Sequence, residues 1–243
     1  MRATRIDTIV FDLDGTLVDT APDLVAALNH SLEFLGRPVV DPLLVRALAG
    51  QGARALLEAG LALSGDAPEE MIRTAIPVFL DHYANNICAN SLPYPGLDAA
   101  LDELQRMGFK LAICTNKPEA LAACLVESLG WTDRFAALIG GDTLPVRKPD
   151  PLPLLTAIAR AGGTRAIYVG DSAVDVDTAH AAAMPSIAVG FGFSDVCASQ
   201  LGADLSIEHF DLLADAVRTI VAAEPSRAAP PAPLASDQAS AAA

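Results

Sequence analysis

Hydrophobic residues change their spacing twice along this chain. Residues 6–12, IDTIVFD, form a short apolar run of strand length. From Pro22 the spacing lengthens, with Leu24, Leu28, Leu32 and Leu35 recurring every three or four residues. That pattern predicts a helix, with Thr20 as its cap and Gly36 at its close. Further helices are predicted over 42–48, 52–63 and 68–85, and no convincing strand interrupts 20–90. The run LPYPG at 92–96 is turn chemistry and predicts a hinge. Beyond it, apolar runs at 109–115, 135–141, 166–171 and 186–192 alternate with predicted helices at 97–107, 118–129, 151–161 and 174–183.

Strands that alternate with helices and are apolar on both faces predict a parallel sheet covered on both sides. The fold class expected is α/β, a doubly wound, Rossmann-like parallel sheet carrying an inserted α-helical cap. Residues 1–18 and 92–223 would form the α/β core domain and 19–91 the helical cap domain. From Ala223 the chain is mostly Ala, Pro and Ser, too poor in large apolar side chains to offset its ordering entropy, so 224–243 is expected to be a disordered tail.

Composition narrows the partners. The 243 residues are 52% hydrophobic and carry a formal charge of −14, which favours neither nucleic acid nor an anionic membrane surface. An anionic substrate would need local cations or a metal. No apolar run approaches a membrane span, and the start of the chain reaches an acidic motif too soon to hold a signal peptide. Cys88, Cys114, Cys124 and Cys197 lack CxxC spacing and suit reduced thiols. The expected setting is cytoplasmic. Monomer and homodimer are not distinguished.

Polar residues cluster at the strand ends. Asp12 and Asp14 follow the first strand, Thr115 and Asn116 follow FKLAIC, and Asp171 follows AIYVG. Ligands of open parallel sheets bind outside the carboxyl ends of the strands, so these residues should meet in one crevice. Asp175 lies one helical turn beyond Asp171 and faces the same way. Lys148, in LPVRKPDP, can reach the same rim. Taken singly, each has an ordinary reading as a turn, a helix cap or a surface charge. Taken together they suit phosphoryl transfer with Mg²⁺, a cation that prefers oxygen ligands. One carboxylate could attack phosphorus, and a second could protonate the leaving alkoxide and then activate water. Lys148 and the Thr115 hydroxyl would hold charge on the transferring group.

FDLDGT (11–16), CTN (114–116), Lys148-Pro149 and GDSAVD (170–175) resemble the four motifs of the haloacid-dehalogenase-like phosphohydrolases. The likeness extends from residue 6 to about 221 and points to the branch whose cap follows the first strand. By that resemblance, Asp12 is the nucleophile and a metal ligand. Asp14 is the general acid/base and binds metal through its carbonyl. Asp171 is a further metal ligand, and Asp175 orients the metal and its waters. Thr115, Asn116 and Lys148 bind phosphate.

Within the branch, AGQGARALL (49–57), YPG (94–96), TNKP (115–118), KPDPLPLL (148–155) and GDSAVDVDTAHAA (170–182) resemble members that act on 2-phosphoglycolate. The reaction implied is hydrolysis of that small-molecule phosphate ester to glycolate and phosphate through an aspartyl-phosphate. Gly50, Gly52 and Arg54, with Lys117, are expected to read the leaving group. Met184 after Ala183, where relatives have Ala-Gly before the proline, is expected to change that turn. Asp150 stands where His or another residue is expected. Alternatives within the fold are a phosphatase for a sugar phosphate, nucleotide or pyrophosphate, or a sugar phosphomutase. Alternatives outside it are a signalling receiver and a silent interaction module. A receiver's acidic pair would be adjacent, and a silent relative should have lost one of Asp12, Asp14, Lys148 or Asp171.

Overall fold

A computed structural model describes residues 5–223, so the tail expected at 224–243 lies outside the described residues. The chain begins with β1 (Thr8–Phe11), buried along its whole length. It turns through Gly15 into the two-residue strand β2 (Val18–Asp19) and then enters four helices: α1 (Ala21–Phe34), α2 (Pro42–Val45), α3 (Ala53–Ala62) and α4 (Glu69–Asn85). A 3-10 turn, Arg46–Gln51, joins α2 to α3. The chain returns through β3 (Leu92–Pro93), paired antiparallel with β2. There follow α5 (Leu97–Arg106), β4 (Lys110–Cys114), α6 (Glu119–Ser128), β5 (Ala137–Ile139), α7 (Leu152–Arg160), β6 (Ala166–Gly170), α8 (Ala173–Ala181), β7 (Ser186–Val189), β8 (Leu205–Ile207) and α9 (Leu213–Ala223).

The main sheet has six parallel strands in the order β5-β4-β1-β6-β7-β8. Strand β1 lies between β4 and β6, and the connections wind away from it on both sides. Its carboxyl end is therefore a topological switch point, where such sheets leave an open crevice. The expected doubly wound α/β sheet is the one observed. Strand β8 was not anticipated: three residues, LSI, carry too little periodicity to be read.

The α1 leucines do what their spacing implies. Leu24, Leu28 and Leu32 are buried, and Leu35 packs partly against them. Burying such a side chain stabilises by roughly 1.5–3 kcal/mol. Thr20 corrects one expectation. It sits at the helix start, but its side chain does not cap the helix; its hydroxyl instead donates to Asp14 Oδ1 at 2.7 Å. Asp23, in the first turn of α1, accepts hydrogen bonds from the backbone and side chains of Asn90 and Ser91. It fastens the outgoing helix to the returning segment. The helix expected at 42–48 is α2 followed by the 3-10 turn, and the strand expected at 135–141 is only three residues long. No helix among the described residues is long and apolar enough to cross a membrane.

Candidate active site

The switch point gathers Asp12, Asp14, Thr115, Lys148, Asp171 and Asp175. Asp12 directly follows β1 and its backbone N–H donates to Val169 O at 2.9 Å, continuing the ladder with β6. Its carboxylate is thereby fixed at the centre of the sheet edge. Carboxylate oxygens of Asp12, Asp171 and Asp175 lie within 4.8 Å of one another.

Lys148 answers part of this charge. Its Nζ is 2.7 Å from Asp175 Oδ1 and 3.0 Å from Asp12 Oδ1. Burial opposes its charge, yet Asp12 and Asp175 hold its pKa above the usual lysine range. It also donates to the Tyr168 hydroxyl at 2.9 Å, and that hydroxyl donates to the Cys114 carbonyl at 2.7 Å. Asn116 holds Lys148 by its backbone: the Asn116 amide donates to Lys148 O at 3.1 Å and accepts from Lys148 N–H at 3.0 Å. The Asn116 side chain thus positions the lysine. Thr115 is buried at the end of β4, and its oxygen accepts from Lys117 N–H at 3.3 Å, leaving the hydroxyl proton to donate elsewhere.

Asp171 is fixed by two donors that the sequence reading assigned no role. The Thr16 hydroxyl donates to Oδ1 at 2.9 Å and Phe193 N–H to Oδ2 at 2.8 Å. Glycines make room for it. A Cβ on Gly15, whose φ is +81°, would lie 2.5 Å from Asp171 Oδ2, and one on Gly192 only 2.2 Å from Asp171 Cβ. Asp175 has both oxygens engaged, one by Lys148 and the other by the backbone and hydroxyl of Ser172. Tyr168, which its place in the sequence suggests is a packing residue, is indeed buried. Its hydroxyl is nevertheless part of the polar network, and the signal was a lone tyrosine in an otherwise aliphatic strand.

The Asp12 Oδ1 atom is buried and, despite the nearby Lys148, has no partner in hydrogen-bonding geometry. Burial, partly offset by Lys148, pushes the Asp12 pKa up to about 6; burial, then Asp175 and Asp12, push Asp171 up to about 7. One ammonium against three carboxylates leaves negative charge uncompensated in a place with little water. That donor set fits a divalent cation, since all the candidate ligands are hard oxygens.

Asp14 is engaged by a different lysine. Lys117 Nζ contacts its two oxygens at 2.8 and 3.1 Å and donates to the Tyr83 hydroxyl of α4 at 2.6 Å. Lys117 is therefore in the site but bound to Asp14 and the helical segment. Arg54 is not brought to the cleft: its side chain is 52% exposed and is paired with Glu58 at 2.8 Å and with Glu69. Gly52, with φ +91°, starts α3, and Gly50 lies on the 3-10 turn beside Phe193.

A fold of this topology with acidic groups and a lysine at the end of its central strand defines a class. The family model for haloacid dehalogenase-like hydrolases matches residues 6–183, and the chain belongs to that family. Among curated relatives, it is 47% identical over 210 residues to a phosphoglycolate phosphatase from Mesorhizobium japonicum, covering 84% of this chain and 92% of the relative. It is 43% identical over 207 residues to one from Caulobacter vibrioides, covering 84% and 87%. The crystal structure of a predicted phosphoglycolate phosphatase from Haemophilus somnus superposes with a TM-score of 0.81 at 28% identity, covering 88% of this chain and 99% of that one.

Proposed function

We propose that this protein is a Mg²⁺-dependent phosphoric monoester hydrolase that converts 2-phosphoglycolate to glycolate and phosphate. The observation that carries the reading is Asp12 Oδ1, a buried carboxylate oxygen with no hydrogen-bond donor, at the centre of the sheet edge beside Lys148. The relatives' activity supports the choice of substrate.

Asp12 attacks phosphorus, displacing the alkoxide and forming an aspartyl-phosphate. Asp14, fixed by Thr20 and Lys117, enters the reaction protonated and gives its proton to the leaving oxygen. As a carboxylate it then takes a proton from the water that attacks phosphorus and releases the Asp12 carboxylate. Lys148 and Thr115 stabilise charge on the phosphoryl oxygens, and Asn116 fixes the lysine in place. Asp12 and Asp171, with the Asp14 carbonyl, would hold Mg²⁺, and Asp175, paired with Lys148, would orient the cation and its waters. When bound, the cation would offset phosphate charge and carboxylate repulsion. Residues 1–18 and 92–223 serve as the catalytic core, with 19–91 as a cap over it. Free thiols at all four cysteines support a cytoplasmic setting.

Comparison of kcat/KM over a panel of phosphate monoesters at saturating Mg²⁺ tests the reading. The expected result is a preference for 2-phosphoglycolate. A preference for hexose phosphates, nucleotides or pyrophosphate would replace the substrate and keep the chemistry, and no hydrolysis of any ester would end it.

A further inference from the structure

The substrate proposed above carries a second anion, the carboxylate of its leaving group, and the cations around the cleft differ in their capacity to receive it. Lys148 is occupied by Asp12 and Asp175, and Lys117 by Asp14 and Tyr83. Arg54 is spent on Glu58 and Glu69. Arg46, which the sequence reading did not single out, is placed otherwise.

Arg46 opens the 3-10 turn between α2 and α3 and reaches back toward the sheet. Its Nη2 is 2.8 Å from Asp19 Oδ2, and its side chain is 37% exposed, so a ligand can reach it. Its Cζ stands 5.3 Å from the centre of the Phe193 ring. Phe193 is the residue whose backbone N–H holds Asp171, and its ring lies 2.9 Å from where a Gly15 Cβ would be. One aromatic ring therefore separates the guanidinium from the acidic centre. The same corner holds a second donor. The Tyr94 hydroxyl is buried with no partner in good hydrogen-bonding geometry, yet it is close enough to Arg46 for a weak hydrogen bond and feels the charge of Asp171.

We propose that Arg46 and the Tyr94 hydroxyl form the subsite for a carboxylate on the leaving group; this rests on the phosphatase reading and deepens it. Guanidinium presents five N–H donors in a planar fork, and Asp19 uses one edge of it. The remaining donors can take a second carboxylate in the geometry that arginine favours. Stacking on Phe193 restricts the fork before the ligand arrives. Asp19 orients the arginine and offsets part of its charge. A phosphate ester with an uncharged leaving group gains nothing there.

The test is steady-state kinetics with the full chain on 2-phosphoglycolate and on ethyl phosphate, a neutral ester of similar size. Arg46→Gln is expected to raise KM for 2-phosphoglycolate about 10- to 100-fold, the range for a charged hydrogen bond, and to change ethyl phosphate less than about 3-fold. Arg46→Lys should recover part of the difference, and Tyr94→Phe should shift the same ratio by a smaller factor. Arg54→Ala should leave the ratio unchanged. Thermal melting of each variant keeps loss of fold apart from loss of recognition. If wild type prefers 2-phosphoglycolate and Arg46→Gln slows both esters equally, or if Arg54→Ala moves the ratio, the subsite is wrong while the substrate stands. If wild type treats the two esters alike, the substrate reading falls together with the subsite. If it hydrolyses neither, the phosphatase reading falls as well.

Discussion

Lys117 Nζ lies 2.8 Å from Asp14 Oδ1, a buried ammonium pinned on the carboxylate proposed to shuttle the proton. Burial alone would discharge the lysine, but Asp14 and Tyr83 keep it charged. Lys117→Met should remove the partner of Asp14, destabilise the fold by about 3 kcal/mol and lower kcat on the order of 10²-fold. Tyr83→Phe removes one hydrogen bond to the same lysine and should destabilise by about 1 kcal/mol. Chemical denaturation and initial rates measure both. A Lys117→Met enzyme with wild-type kcat would show that Asp14 needs no such support.

Asp12→Asn keeps the shape of the site and removes the nucleophile. Turnover should fall on the order of 10⁴-fold with the circular dichroism spectrum unchanged. Retained turnover would overturn the mechanism.

Acidification has a definite sign here. Folding raises the pKa of Asp12 to about 6 and of Asp171 to about 7, both above the ordinary 3.8. Between those limits the native state binds more protons than the unfolded chain, so the contribution of these groups to stability falls as pH rises. A divalent cation bound by these carboxylates would take the place of those protons. In melting experiments, excess Mg²⁺ relative to chelator should raise the Tm more at pH 8 than at pH 5. Equal increments at the two pH values would place the cation elsewhere.

Ala183 has φ +54°, a left-handed conformation unfavourable for a residue with a Cβ. Its N–H and that of Met184 close α8 on His180 O and Ala179 O, a backbone arrangement commonly given to glycine. Ala183→Gly should therefore stabilise the protein by about 1 kcal/mol, after allowing for the extra freedom of glycine in the unfolded chain. Urea titration at fixed m-value reads the difference. A loss of stability would mean that the Ala183 methyl contributes packing that outweighs its strain.

Much of this is legible in the sequence. Parallel strands buried on both faces announce themselves as unbroken apolar runs, and side chains that end such strands have one edge on which to meet. Asp12, Thr115 and Asp171 were found that way. The roles of Thr20 and Asn116 were not, because a short polar side chain can bond forwards or backwards along the chain. Thr20 bonds back to Asp14 rather than forward to the helix, and Asn116 grips the backbone of Lys148 across 32 residues. The cations illustrate the same limit. Arg54 looked suitable because it follows Gly50 and Gly52, but Glu58 lies one turn away on α3 and Glu69 on α4, and both claim it. What distinguishes Arg46 is Phe193, almost 150 residues later, and no local spacing encodes that contact.

The pairing of β2 with β3 sets Asp19 opposite Leu92 and Val18 opposite Pro93. Chain exit and chain return are thus one strand spacing apart, about 5 Å. Everything between them hangs on a single stem, with Asp23 bolting its base. Such a stem makes the intervening segment exchangeable. It can lengthen or shorten away from the stem without shifting the register of the six-stranded sheet, provided that Tyr83 stays beside Lys117 and, through it, Asp14.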